Sequence, residues 1–401
     1  MTAPRDPVEL AIVRAICEAD PDDDEPRLVY ADYLQQRGDP RGELIAIQCR
    51  ETRHPGDALA RRSLGLFDAD EARWLGAWQV DAIRWRFERG FLHHLAIPID
   101  AFVVLAELLL AHDPHPDELA HLGSLALHAP RLGDAPAVAS VVAILEQLRL
   151  RALSLELTVG ERFARTLAGS RALAHLTTLR LEGATHERDV PAILLRGAPI
   201  ERLDALALVN CHVTDREALA LALAPRFRQV RRLDLTTETA GQAHVNELTA
   251  IGVVALVRAT PALTALELRG NLTGAREHGR TGATSGDKTV LAALAELRPP
   301  LVELGLGSTR MTNISPLAAL PTLERLDLRG NWLDDSALDT VLALPHLTTL
   351  NLAHTRITAA GAARLAADAP PSLRELTLTV PKLPERLVAA LAARFELHRW
   401  A

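Results

Sequence analysis

The sequence predicts an α/β solenoid of parallel strands preceded by a helical N-terminal domain. Three observations predict it. A Leu-x-x-Leu-x-Leu frame, with valine or isoleucine at single positions, recurs eleven times between Leu92 and Leu378. Its copies are 22 to 38 residues apart, the period of a stacked-repeat architecture. Hydrophobic residues make up 48% of the chain yet aromatics only 3%, which suits a core built from many small leucine layers.

The first stretch reads as helices without a repeat. Asp6-Pro7 caps a helix running to about Glu18, with Leu10, Val13 and Ile16 or Cys17 on one face. The acidic turn Asp20, Asp22, Asp23, Asp24 and Glu25 caps a second helix from Pro26 to Arg37, closed by Gly38. It lacks the glycine and the distal glutamate of a calcium-binding EF-hand loop. Asp39-Pro40 opens a third helix with Leu44, Ile47 and Gln48 near one face. Trp74, Trp78 and Trp85 are expected to cover the open edge of the first coil, and Leu397 and Trp400 the far end.

The string from Arg27 to Ile45, RLVYADYLQQRGDPRGELI, resembles the bacterial repeat-companion domain, a short helical module found beside leucine-rich repeats in myxobacteria and planctomycetes. Trp74-Leu75-Gly76 and the segment Trp85 to Phe91 are similar to the part of that family leading into the repeats. Tyr33 stands where the family usually has tryptophan, and Gln35-Gln36 replace an acidic pair. The resemblance implies a repeat-containing, non-catalytic protein, with residues 1–90 as the companion domain and cap and 91–401 as the repeats.

The frames begin at Leu92, Leu122, Leu150, Leu176, Leu203, Val230, Leu263, Leu301, Leu323, Leu347 and Leu373. Each frame reads as one short strand stacked on its neighbour. Side chains alternate along a strand, so Leu326 and Leu328 point inward while Arg325, Asp327 and Arg329 point outward. Asn271 and Asn331 take a turn position where an amide satisfies backbone groups; Cys211, Thr309 and Thr355 hold the same place less fully. Thr214-Asp215-Arg216-Glu217 is a capping box, and Ser336 and Thr358 precede further helical return legs. Intervals of 26 to 28 with such helices resemble the ribonuclease-inhibitor type of leucine-rich repeat, a horseshoe with strands concave and helices convex. Eleven strands at ~4.8 Å spacing give an inner arc of roughly 50 Å, long enough to hold a folded partner. The longest interval carries a glycine-rich inserted loop at 271–288, containing Arg276 and Arg280.

Charge narrows the function. The net charge is −7, and the first fifty residues hold eleven acids against six arginines. The repeats are therefore nearly neutral and offer no basic stripe for nucleic acid. Three separated cysteines, Cys17, Cys49 and Cys211, make neither a disulfide framework nor a metal site, and no signal peptide or membrane span is visible, so a cytoplasmic location is expected. His112-Asp113-Pro114-His115-Pro116-Asp117 reads as a solvated connector. Cys211, His212 and Asp215 contain the letters of a catalytic triad, but adjacent strand residues face opposite ways, so Cys211 reads as core. His93-His94 reads as an edge contact. No enzyme motif, cofactor or metal is expected.

The sequence thus points to a non-catalytic protein-recognition or scaffold module. Its candidate protein-binding residues are the outward-facing Arg180, Glu182, Arg232, Asp234, Glu267, Arg269, Arg325, Asp327, Arg329 and Asn351. The N-terminal coils offer small residues instead, such as Ala126, Ser154, Ala205 and Ala207. Two other roles follow from single features. Arg276 and Arg280 in the inserted loop suit a regulated protease substrate in a defence or signalling cascade. A solenoid without chemistry of its own also suits an adaptor or subunit of an enzyme complex.

Overall fold

The fold is seen in a computed structural model, which describes residues 6–19, 23–53, 57–79, 83–112, 119, 121–128, 138–156, 160–183, 190–238, 246–271, 286–380 and 383–399. The chain divides into two compact units, 1–155 and 156–401.

The first unit opens with four helices, α1 (Pro7–Glu18), α2 (Glu25–Gln36), α3 (Pro40–Arg53) and α4 (Asp57–Leu75). The Asp6 carboxylate accepts the Val8 N–H at 2.9 Å and starts α1, as its place before Pro7 predicts. Val13, Ile16, Tyr30, Tyr33, Leu34, Ile45, Cys49 and Phe91 form the core cluster, with Tyr30 stacked between Tyr33 and Phe91. Each tyrosine places its ring in the core and its hydroxyl on a carboxylate: Tyr30 donates to Glu9 and Tyr33 to Asp6, both at 2.9 Å.

Asp20 and Asp22 lie outside the described residues, and the rest of the acidic turn is only in part the helix cap that its sequence suggests. Asp23 Oδ1 does accept the Glu25 N–H at 3.0 Å. Asp24 makes no side-chain cap; it is 2% exposed and pairs with Arg89 at 3.0 Å. A buried carboxylate requires a counter-charge. The guanidinium arrives from the turn of a hairpin 65 residues away in sequence, which local spacing cannot reveal.

That hairpin pairs β1 (Arg84–Glu88) antiparallel with β2 (Phe91–Pro98), with an irregular register between Arg86 and Phe87. The order continues through β3 (Ser124–His128), parallel to β2, and β4 (Ala152–Glu156). Return helices α5 (Ile99–His112) and α6 (Val138–Leu145) lie between them in sequence. Phe67 of α4 meets Trp74, Trp85 and Phe87, and Trp78 stacks on Phe102 of α5, so the tryptophans join the N-terminal helices to the first coil. His94 contacts Ser124 of the next strand at 2.9 Å.

In the second unit nine strands follow in sequence order, each parallel to the next: β5 (Thr178–Glu182), β6 (Ala205–Val209), β7 (Arg232–Asp234), β8 (Ala265–Glu267), β9 (Glu303–Gly305), β10 (Arg325–Asp327), β11 (Thr349–Leu352), β12 (Glu375–Leu378) and β13 (Glu396–Arg399). Their helices are α7 (Glu161–Ala168), α8 (Val190–Gly197), α9 (Asp215–Ala222), α10 (Ala250–Ala259), α11 (Gly286–Leu297), α12 (Leu338–Leu342), α13 (Ala359–Asp368) and α14 (Glu385–Arg394). This is an α/β leucine-rich-repeat solenoid. The frame leucines are buried layer on layer, Leu326 at 2% and Leu328 at 0% exposure, as alternation requires.

Two strands exceed the eleven that the leucine frame predicts. β1 is the first arm of the hairpin. β13 has Arg394 at the frame's first place and only Leu397 in register with Leu376. Arg394 is used differently there: its guanidinium donates to the carbonyls of Ala366 and Ala367 at 2.6 and 2.9 Å, closing the C-terminal end of α13.

Repeat length follows the return leg. The shortest interval, from Leu301 to Leu323, turns through a 3-10 segment, Ser315–Ala319, where its neighbours have α-helices. The next has a 3-10 turn, Asp335–Ala337, before the five-residue α12, and its cap is Asp334, which accepts the Ser336 N–H at 3.0 Å; Ser336 itself is inside the turn. Thr214 and Glu217 form the expected capping box, and Thr358 caps α13.

Acids in one return leg also hold the cap of the next. Asp215 accepts the Thr249 N–H at 2.8 Å, the Thr249 hydroxyl at 2.5 Å and the Gly252 N–H at 3.0 Å. Asp335 repeats the arrangement on Thr358, at 2.9 Å to its N–H and 2.5 Å to its hydroxyl. Gly252 and Gly361 stand where a Cβ would fall 2.5 and 2.1 Å from those carboxylates. Among the described residues no helix is long and apolar enough to cross a membrane.

Candidate recognition face

Strand alternation turns one side chain in two away from the leucine core. In the second unit the register aligns these outward residues into rows. One row runs Arg232, Ala265, Glu303, Arg325 and Thr349 across β7 to β11. The next, two residues further along each strand, runs Asp234, Glu267, Gly305, Asp327 and Asn351. Together they line a depression of about 500 Å³ reaching from Thr178 in β5 to Thr377 in β12.

The second row has a backbone task that explains its composition. Asp234, Glu267, Asp327 and Asn351 each accept the N–H two residues on, from Thr236, Arg269, Arg329 and Ala353, at 2.9 to 3.0 Å. The side-chain oxygen ends the strand by supplying an acceptor the ladder no longer provides. An acceptor side chain at this position is thus partly structural.

The charges are largely closed among themselves. Arg232 crosses the small Ala265 to reach Glu303, with two contacts of 2.8 Å, and Arg325 holds the same carboxylate from the other side. The Arg232 hydrogen bond, with help from Arg325, keeps the Glu303 carboxyl below the usual glutamate value despite its partial burial. Arg180 pairs with Glu182 at 2.6 Å and reaches Asp234 at 3.7 Å. Arg329 Nε donates to Asp327 at 2.6 Å, and Arg269 meets Glu238 at 3.3 Å.

Glu267 is the exception. Of the four acids lining the depression it alone has no salt-bridge partner among the described residues. Burial, reinforced by the charges of Asp234 and Asp327, pushes its carboxyl up to about 7 against the pull of the Arg269 N–H and guanidinium. Its carboxylate lies over Gly305, where a Cβ would come within 1.9 Å of it. Gly307, two residues on, leaves room for the side chains of Arg269 and Arg329 on either side.

Of the residues predicted from sequence, Arg232, Asp234, Glu267, Arg325, Asp327 and Asn351 line the depression; Arg180, Glu182, Arg269 and Arg329 stand outside its lining. Sequence reading passed over Glu303, the centre of the arginine bridge, although the alternation that turns Arg325 outward turns Glu303 outward in the preceding frame. Arg276 and Arg280 lie outside the described residues, as does most of the inserted loop.

Cys211 is buried at 3% exposure and its thiol donates to the carbonyls of Leu181 and Val209 at 3.3 Å. Burial pushes it up to about 12, which leaves no thiolate at neutral pH. Among the described residues no group of three or more His, Cys, Asp or Glu is placed to hold a metal.

Residues 319–341 and 343–366 match the family model described as Leucine Rich repeat. Among curated proteins, none matches the chain in sequence. Solved structures with a similar course include an internalin from Listeria monocytogenes, 13% identical, covering 83% of this chain and 95% of its own, with a TM-score of 0.41. The crystal structure of the Rad7 and Elc1 complex in yeast gives 16% identity over 75% of this chain and 81% of that one, with a TM-score of 0.44. A leucine-rich repeat-containing protein from Legionella pneumophila gives 16% identity over 68% and 91%, also at 0.44.

Proposed function

From a leucine-rich-repeat solenoid with a charged, hollowed strand face, we propose that the chain is a non-catalytic protein-recognition module that holds its partner on that face. The observation that carries this reading is the depression spanning eight strands, lined by charged side chains interspersed with small residues. Stability does not require such a surface, since exposed ion pairs contribute only about 0–1 kcal/mol each. Contacts spread over many repeats let a rigid solenoid select a partner by the pattern of charge. Residues 1–90 are assigned to a helical repeat-companion module and 91–401 to the repeats. Arg180, Glu182, Arg269 and Arg329 are assigned to the rim of the same surface.

The test is affinity capture from the source organism with the wild-type chain and with a variant carrying Arg232→Ala, Arg325→Ala, Asp327→Asn and Arg329→Ala. Asparagine at 327 keeps the acceptor for the Arg329 N–H. The expected result is loss of the principal captured protein with an unchanged circular dichroism spectrum. Capture of the same proteins by both forms would count against the face.

A further inference from the structure

We propose that the Glu267 carboxylate, lying over Gly305 in the depression, receives a basic side chain, best an arginine, projected by the partner protein. This rests on the strand face being the recognition surface and names the chemistry it selects. Three geometric observations carry it. The other acids of the depression, Asp234, Glu303 and Asp327, are held by Arg180, by Arg232 and Arg325, and by Arg329, respectively. Among the described residues Glu267 has no salt-bridge partner, and it sits in one row with two further carboxylates. The absence of a side chain at Gly305 lets the Glu267 carboxylate lie across β9 toward Asp327. Adjacent strands lie ~4.8 Å apart, so a guanidinium over β9 is within reach of both flanking carboxylates. Arginine fits better than lysine because its planar, weakly hydrated fork can bridge two acids.

The charged groups facing Glu267 from the packed strands are Asp234 and Arg232 on β7, Glu303 on β9, and Asp327 and Arg325 on β10, with Arg269 and Arg329 just beyond the strand ends. Burial, with the charges of Asp234 and Asp327, raises the Glu267 carboxyl to about 7 against the pull of Arg269. The sign follows. The folded value exceeds the ordinary one, so ionisation destabilises the folded chain increasingly as pH rises between them and fully above about 7. A guest cation favours the ionised carboxylate, so binding expels the proton and strengthens with pH. If only ionised Glu267 receives the guest, affinity falls about tenfold between about pH 8 and about pH 6.

The experiment uses the full chain with glutamate labelled at the carboxyl carbon, the Glu267 resonance being assigned by its absence in Glu267→Gln. The probes are the blocked tripeptide Gly-Arg-Gly and its glutamine counterpart, each in excess. Glu267 is expected to titrate near neutrality in the free chain. The arginine peptide should lower that midpoint by about one unit and the glutamine peptide should leave it in place. Glu267→Gln should remove the pH dependence of peptide binding. Gly305→Ala, whose Cβ meets only the movable end of Glu267, should fold normally and return the midpoint toward the ordinary glutamate value. Equal effects of the two peptides, a free midpoint at the ordinary value, or a shift produced by calcium or magnesium and not by the arginine peptide would overturn the proposal. If the four-residue variant loses its captured protein while the peptides act alike, the face stands and only the arginine site falls.

Discussion

Replacing Asn246 with alanine is expected to destabilise the second unit by about 4 kcal/mol. Asn246 is 2% exposed, and its amide is fully engaged. Its oxygen accepts the N–H groups of Cys211 and Val213 at 3.0 and 2.9 Å. Its nitrogen donates to the carbonyls of Leu208, Leu235 and Thr236 at 2.7, 3.0 and 3.3 Å. Alanine removes this amide from five buried backbone groups. The Leu235 and Thr236 carbonyls keep the Asn271 amide and the Asn210 N–H. The cost therefore falls mainly on the Cys211 and Val213 N–H groups, roughly 1–3 kcal/mol each where water cannot enter and less where it can. Because coils stack on nearest neighbours, the damage should be local before it is global. The check is chemical denaturation together with hydrogen exchange, where the Cys211 and Val213 amides should lose protection first. A stability change under about 1 kcal/mol would mean that water replaces the amide.

The second large effect is expected at Gly270. Its φ is +72°, a conformation that costs an L-residue about 1–2 kcal/mol. An added Cβ would also fall 2.2 Å from the Thr237 carbonyl oxygen, which is backbone and cannot step aside. Gly270→Ala should therefore destabilise by about 3 kcal/mol, combining the conformational cost with that of a forced backbone shift. Gly305 is the internal control. Its obstacle is the end of the flexible Glu267 side chain, so alanine there should cost under about 1 kcal/mol. Urea midpoints of the two variants measured side by side decide the matter; equal losses would contradict the distinction.

Asn246 also marks the limit of what periodicity can convey. The frame beginning at Val230 puts Glu238 at the turn position that Asn271 and Asn331 occupy in theirs. The interval of 33 announces extra residues, and the amide that belongs at the turn is supplied from eight residues further on. Where nothing is inserted the turn reads directly. Asn331 donates to Leu306 and Leu328 and accepts from Met311, each at 2.8 Å, and Thr309 and Thr355 bond the carbonyl three residues back at 2.7 Å.

The frame leucines, the inward and outward alternation and the capping box were legible because each depends on a local period. The Asp24–Arg89 pair, the β1–β2 hairpin and β13 were not, since each depends on a distant partner or replaces the leucine signal. On the strand face the same contrast holds. Arg325 and Asp327 could be placed outward from their own frame. That Arg232 passes over Ala265 to share Glu303 with Arg325 needs the register of three neighbouring strands. That Glu267 has no salt-bridge partner among the described residues likewise appears only once every other carboxylate of the depression has its arginine.

The central claim is that the strand face of the second unit, and not its helical face, holds the partner. The most direct measurement places a photo-activated cross-linking residue at Thr349, on the wall of the depression, and in a separate chain at Leu223, which is 77% exposed beside α9. Irradiation in extract of the source organism should give a discrete adduct from position 349 and none from position 223. An adduct from 223 with none from 349 would contradict the account.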